Sequence, residues 1–375
     1  MGGGTKLSDD ELPSVSDELS SSSSSQLDSS SVPSTYSPSS RELVAYLDLL
    51  QSYYRPPDRS ADLRPLKNSI ARHKPGDWID HVGGMTLYDY DIPESTILLL
   101  VGPRGSGKSS LVNRIARVFG NELFAPDPAQ VSHNLSATDG TCFLQEYMVL
   151  KDSESLCVYD SRSLSESSSE NFEMLERWMT EGVSHGQMVV RTSDTKPMKQ
   201  RMGIMARHRD FSPCLKRTVN FVIFVVDGVS VLKSMDDDAK YNKMLAANFN
   251  CPYFSFKDTK PVVVVTHGDE LSFQERARVR AHLGEILGIP PSKQIFDIPD
   301  TCVSRTELAI MDMLRYSIEH ADRNLPFNKS CLLQARRIIW RKMQKFHFDD
   351  WVVLSGIFII YMVLVYLLFQ VSYIL

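Results

Sequence analysis

The chain has no C-x-x-C pair, no apolar run near its first residues and no large excess of charge of either sign. Its six cysteines, Cys142, Cys157, Cys214, Cys251, Cys302 and Cys331, are widely spaced. That spacing argues against a zinc site or a disulfide framework and fits reduced, buried thiols. A formal net charge of -5 over 375 residues gives no reason to expect a nucleic-acid partner. Without an apolar leader no secretory signal is expected, so the sequons at Asn134 and Asn328 are expected to stay idle. Met1-Gly-Gly-Gly-Thr-Lys6 opens like an acylation signal, but Lys6 stands where Ser or Thr is needed, and acylation of Gly2 is not expected.

Large apolar side chains are also scarce in residues 1–40, which are dominated by serine and read as a disordered tail. From Arg41 the pattern changes. Leu43, Val44, Leu47 and Leu50 recur at helical spacing, and a second helix is expected over Ala61–Arg72, so residues 41–94 read as a helical lead-in packed on the main domain.

Thr96–Val101 is a short apolar run, followed by a glycine-rich turn and then by Leu111, Ile115, Ala116, Val118 and Phe119 at helical period. Strands are expected over Cys142–Leu150, Leu156–Tyr159, Phe221–Val226, Val262–Val265 and Gln294–Ile298, and helices over Asn171–Gly182, Val231–Phe249, Ser272–Leu287 and Arg305–Ala321. This alternation predicts an α/β domain over residues 95–327, its mostly parallel sheet covered by helices on both faces.

Gly102-Pro-Arg-Gly-Ser-Gly-Lys-Ser109 satisfies G-x-x-x-x-G-K-[ST] between a strand and a helix, the context that gives a P-loop its mechanism. Backbone amides around Gly102, Arg104, Gly105, Ser106, Gly107 and Ser110 would gather phosphate oxygens at the positive end of the helix. Lys108 would reach the β and γ phosphates, and the Ser109 hydroxyl would join a Mg²⁺ shell. Asp160, closing the apolar run Ser155–Tyr159, is the matching carboxylate for the metal's waters. Thr266-His267-Gly268-Asp269 follows the Val262–Val265 run where guanine readers carry [NT]-K-x-D. A carboxylate at Asp269 can accept both donors of a guanine edge, which adenine lacks, and His267 stands in for the lysine whose stem covers the base. An ATP-using site stays open as the alternative because Thr266 and His267 depart from that pattern.

These segments in order resemble the interferon-induced protein 44 family of GTPase-like proteins over residues 95–327. The matching pieces are Leu99–Ser110, Cys157–Glu166, Phe221–Gly228, Val265–Asp269 and Asn324–Phe327. The resemblance implies a G-domain-like P-loop fold binding GTP or GDP with Mg²⁺. It also implies that Thr141 senses the γ phosphate and the metal, with Thr138 as the alternative, and that Cys302 and Val303 lie in a loop contacting the base. Two departures point to slow hydrolysis. Ser163 replaces the glycine of D-x-x-G, and Leu164 stands where small GTPases place a water-orienting glutamine. Arg162, or the basic run with Arg191, Lys196, Lys199, Arg201, Arg207 and Arg209, could compensate in cis or in trans. A solvated or lipid-facing loop is the other reading of that run. A nucleotide-binding membrane scaffold that does not hydrolyse GTP is the alternative function.

No charged residue occurs from Trp351 to Leu375, and crossing a bilayer takes about 20 apolar residues. A transmembrane tail anchor is expected over residues 351–375. Arg336, Arg337, Arg341, Lys342 and Lys345 in the preceding basic helix, residues 328–350, would hold the main domain in the cytosol. A long tail without terminal basic residues favours the endoplasmic reticulum, with an outer organelle membrane as the alternative. A nucleotide-dependent homodimer or another protein partner is compatible with all of this.

Overall fold

The computed structural model describes residues 39–79, 85–120, 127–129, 141–150, 153–208, 216–254, 256, 259–301 and 303–328, together with Met362. The chain divides into Met1–Ser37 and Pro38–Leu375; only the second unit is considered below. The serine-rich tail to residue 38, the basic segment from 329 and, except for Met362, the apolar tail lie outside the described residues. Among the described residues no helix is long and apolar enough to cross a membrane.

In chain order the elements are α1 (Ser40–Tyr54), α2 (Leu63–Arg72), β1 (Thr96–Val101), α3 (Lys108–Phe119), β2 (Gln145–Leu150), β3 (Ser153–Asp160) and α4 (Ser168–Glu181). Then follow α5 (Lys196–His208), β4 (Phe221–Asp227), α6 (Gly228–Asp236), α7 (Lys240–Phe249), β5 (Val262–Thr266), α8 (Phe273–Leu287), α9 (Pro291–Gln294), β6 (Ile295–Asp297) and α10 (Ser304–Arg323). The strands form one sheet in the order β2-β3-β1-β4-β5-β6, with only β2 antiparallel. The chain is a mixed α/β fold with a parallel-dominated sheet.

Strands buried on both sides need apolar residues throughout, which is why β1, β4 and β5 read as continuous hydrophobic runs. On one face, Leu98, Leu100, Val158, Ile223 and Val264 pack with Ile70 of α2, Leu111 and Ile115 of α3, and Ile310, Leu314 and Ile318 of α10. On the other, Phe224 meets Phe249 of α7 edge to face at 5.4 Å between ring centroids. The carboxyl ends of the parallel strands share one edge, and β3 and β4 flank β1 on opposite sides. In open α/β sheets that crevice is where ligands bind.

Three expectations differ from the structure. Helix α1 buries Glu42, Leu49 and Tyr53, while Leu43, Val44 and Leu47 are exposed. Polar partners on the domain select that face: Glu42 pairs with buried His282 of α8 at 3.5 Å, and Tyr53 stacks on Phe273. The predicted helix over Val231–Phe249 is two helices, broken at Asp237–Ala239, where the Asp238 carbonyl accepts from Ser234 Oγ instead of continuing a helical ladder. The basic run contains α5, whose Met198, Met202 and Ala206, one turn apart, pack on Cys142 and Phe143.

Asp322 of α10 anchors the segment before β1. Its carboxylate bonds His73 Nε2 at 2.9 Å and accepts from the backbone N–H groups of Gly76 and Trp78 at 2.9 and 3.0 Å. Asp322→Ala leaves these buried donors without a partner and should cost roughly 3–5 kcal/mol, as removal of one member of a buried pair does. Denaturant unfolding of the full chain in detergent reads that loss directly.

Candidate phosphate-binding site

The turn between β1 and α3 has no room for a side chain at Gly102. A Cβ on Gly102 would lie 2.1 Å from the Val225 carbonyl oxygen. Gly107 has φ near 80°, where L residues are strained, and it also caps the start of α3. The loop amides therefore run straight into a helix N-terminus, where partial positive charge collects. Gly105 and Arg104 are exposed at the crest, Ser110 is half-buried in the first turn, and Ser106 Oγ is buried without a partner.

Lys108 curls back over this loop, and its Nζ donates to the carbonyls of Gly102 and Pro103, both at 3.0 Å. Burial pushes its ammonium down to about 8, opposed by the Asp160 carboxylate and helped by the nearby Arg191 guanidinium. Asp160 Oδ2 accepts from Ser109 Oγ at 2.6 Å and from Thr141 Oγ1 at 3.3 Å. Among the described residues Asp160 Oδ1 is buried with no partner, and burial raises this carboxyl's pKa despite Lys108 and the two hydroxyls. The cluster offers hard oxygen donors and an orphaned carboxylate oxygen, which fits Mg²⁺ held together with water and phosphate. Among the described residues no group of three His, Cys, Asp or Glu forms an all-protein metal cage.

At the other end of the loop, Thr266 is buried. Its Oγ1 lies 3.0 and 3.1 Å from the Ser106 and Val226 carbonyls and can donate to either, so it ties β5 to the loop from behind. His267 has a φ of 55° and is, among the described residues, the one non-glycine with positive φ. Its Nδ1 pairs with Asp227 Oδ1 at 3.0 Å. That bond raises the imidazole's pKa, while Asp227, despite the cost of its burial, is held below its ordinary value by His267 and Ser230. The pair is therefore fully present below the imidazole's ordinary pKa near 6.5 and is lost as pH rises through the elevated value. Asp269 is exposed at the rim, where its Oδ1 accepts the Asp300 N–H at 2.7 Å. Cys302, Thr138 and Arg209 lie outside the described residues, and Val303 is exposed at the start of α10.

The stretch after Asp160 is stitched down. The Leu164 N–H donates to the Gly102 carbonyl at 2.9 Å, and the Leu164 side chain is buried. Arg162 is also buried, in an ion pair with Asp194 and a 2.7 Å bond to the Val189 carbonyl. Its guanidinium is thus committed to structure.

Several residues here were not singled out from sequence. Arg114 donates to the Ile298 and Pro299 carbonyls and pairs with Asp300 at 3.0 Å, shaping the loop beside Asp269. Asp297, ending β6, accepts from Tyr53 Oη at 2.5 Å and from Arg276 Nε at 2.6 Å, and stands against Gly268, where a Cβ would come within 2.5 Å of Oδ1. Asp227 and Asp297 both close apolar strands, as Asp160 does. That shared pattern was the available signal.

No family model and no curated protein matches the chain. Solved structures similar to it include one described as the crystal structure of a probable GTP-binding protein engB, which is 13% identical over 61% of this chain and 99% of its own, with a TM-score of 0.30. The signal recognition particle receptor SRb-GDP-Mg from Chaetomium thermophilum is 16% identical over 54% and 74%, with a TM-score of 0.27. The SRb-GTP/SRX complex from the same organism is 14% identical over 55% and 90%, with a TM-score of 0.30.

An anion arriving at Lys108 restores its charge. Triphosphate binding should therefore take up a proton at pH values above about 8, the depressed pKa of the free site. Calorimetric titrations in buffers of different ionisation enthalpy check this: the uptake should be absent near pH 6.5 and grow toward pH 9.

Proposed function

We propose that the chain is a membrane-anchored guanine-nucleotide-binding protein that takes up Mg-GTP, hydrolyses it slowly and works as a molecular switch. One observation carries the reading: a loop that excludes a side chain at Gly102 curls around a buried lysine whose ammonium, among the described residues, hydrogen-bonds only to backbone carbonyls. A triphosphate would supply the missing counter-charge. Ser109 and Thr141 hydroxyls with Asp160 would hold Mg²⁺, which when bound screens the phosphate charge. Asp269, braced by the Asp300 amide, would read the guanine edge, and the pinned imidazole of His267 would border the base. The uncharged run 351–375 would anchor the protein, with the endoplasmic reticulum as the favoured membrane and the domain on the cytosolic side.

A second reading is favoured by the Leu164 N–H bond to the loop carbonyl. A segment fastened there, carrying Ser163 in place of a glycine, does not offer a mobile amide to the γ phosphate. A scaffold that holds GTP without turnover fits this as well.

Chromatography of the nucleotide released from the purified full chain separates these readings. GDP supports turnover, intact GTP supports the scaffold, and adenine nucleotides overturn the base assignment. Lys108→Ala should abolish copurification. Asp269→Asn should weaken GTP by on the order of 10- to 100-fold, as expected for a lost charged hydrogen-bond pair, and should shift preference to xanthosine nucleotides. Unchanged GTP affinity would remove Asp269 from the site. Resistance to alkaline extraction from membranes, lost on deleting residues 351–375, is the expected behaviour of the anchor.

A further inference from the structure

The segment between α4 and β4 forms a strap joining the stretch after Thr141 to the stretch after Asp160. The Val189 N–H donates to the Cys142 carbonyl at 3.0 Å, the Leu144 N–H to the Gln187 carbonyl at 2.9 Å and the Gly186 N–H to the Leu144 carbonyl at 2.7 Å. This short antiparallel pairing fastens the strap to the residues that follow Thr141. Its far end is fixed by Asp194, which takes the Arg162 ion pair and the Arg191 N–H. Arg191, between these fastenings, reaches the Ser163 carbonyl with its guanidinium.

The surroundings of Arg191 are those of a cation awaiting an anion. One of its terminal nitrogens donates to the Ser163 carbonyl, and its Nε is buried with no partner among the described residues. The nearest carboxylates are engaged elsewhere: Asp194 with Arg162, and Glu170 with Thr192 and Ser193. Burial and the neighbouring Arg162 push the Arg191 guanidinium down to about 10. Arg191 and Lys108 repel one another, although Asp160 offsets this at Lys108, so a half-buried cation and a buried one lie within each other's field. Such an arrangement is unfavourable unless a polyanion binds between them.

We infer that Arg191 is the residue by which this chain distinguishes a nucleoside triphosphate from a diphosphate, forking between the Ser163 carbonyl and the terminal phosphate. This rests on the nucleotide reading proposed above and deepens it. The guanidinium has five donors in a fixed plane and can keep the Ser163 bond while adding a phosphate oxygen. It thereby takes over the sensing task that a glycine amide performs in D-x-x-G proteins, and does so at the position where this chain carries serine. The strap is laced to Cys142 and Leu144 on one side and to Arg162 and Ser163 on the other. Occupancy of the terminal phosphate site would therefore tighten both stretches together.

The test uses the full chain in detergent with fluorescent GDP and a fluorescent non-hydrolysable GTP analogue. Arg191→Ala should weaken the triphosphate analogue on the order of 10- to 100-fold while GDP stays within about twofold. Arg191→Gln keeps a polar amide but carries no charge, and should lose the preference as alanine does. Arg191→Lys should keep part of it, and Lys199→Ala, on the same strap, should leave both affinities unchanged. Equal loss of both nucleotides with a lowered Tm, or full preference retained in Arg191→Gln, would overturn the assignment. Wild-type protein that binds neither nucleotide would overturn the nucleotide reading itself. Wild-type binding of both, with Arg191→Ala indistinguishable from it, would overturn this inference alone.

Discussion

The close approach of the glycine-rich turn to the strands beside it is the constraint on which the rest of the site depends. Gly102 presses on the Val225 carbonyl, Gly107 on the Thr266 side chain, and Thr266 Oγ1 closes the contact through the Ser106 carbonyl. The loop is clamped from β4 and β5, its Ser106 N–H donates to the Pro103 carbonyl at 3.3 Å, and Lys108 folds over the loop's own carbonyls. Preorganisation of this kind means that a bound anion would not have to order the backbone that receives it.

Charge is distributed unevenly around that loop. Asp160 gathers two hydroxyls and, among the described residues, keeps one oxygen without a partner, while Lys108 is attracted by that carboxylate and repelled by Arg191. Arg162 illustrates how differently two nearby arginines can be used. Its partner Asp194 neutralises it within the fold, and the same carboxylate positions the Arg191 backbone by accepting its N–H.

The parallel strands, the place of the glycine-rich turn between β1 and α3 and that of Asp160 at the end of β3 were legible because their signals are local: an apolar run, a glycine spacing and a carboxylate closing a strand. The role of the basic run was not. Whether an arginine is paired depends here on Val189 and Asp194, which reach Arg162 from 27 and 32 residues away, and no local pattern encodes that. The lead-in helix shows the same limit. Its leucines repeat at helical spacing, yet Glu42 and Tyr53 decide which side faces the domain, because their partners His282 and Asp297 lie far along the chain. The tail anchor falls outside the described residues and stands on its uncharged sequence alone.

The bond between Tyr53 and Asp297 joins residues 244 positions apart, and Asp297 in turn abuts Gly268 beside the rim that carries Asp269. During synthesis the tyrosine leaves the ribosome long before its acceptor exists. The rim therefore matures late, after β6 has emerged, and until then the nascent chain carries the glycine-rich turn beside an unbraced rim at Gly268 and Asp269.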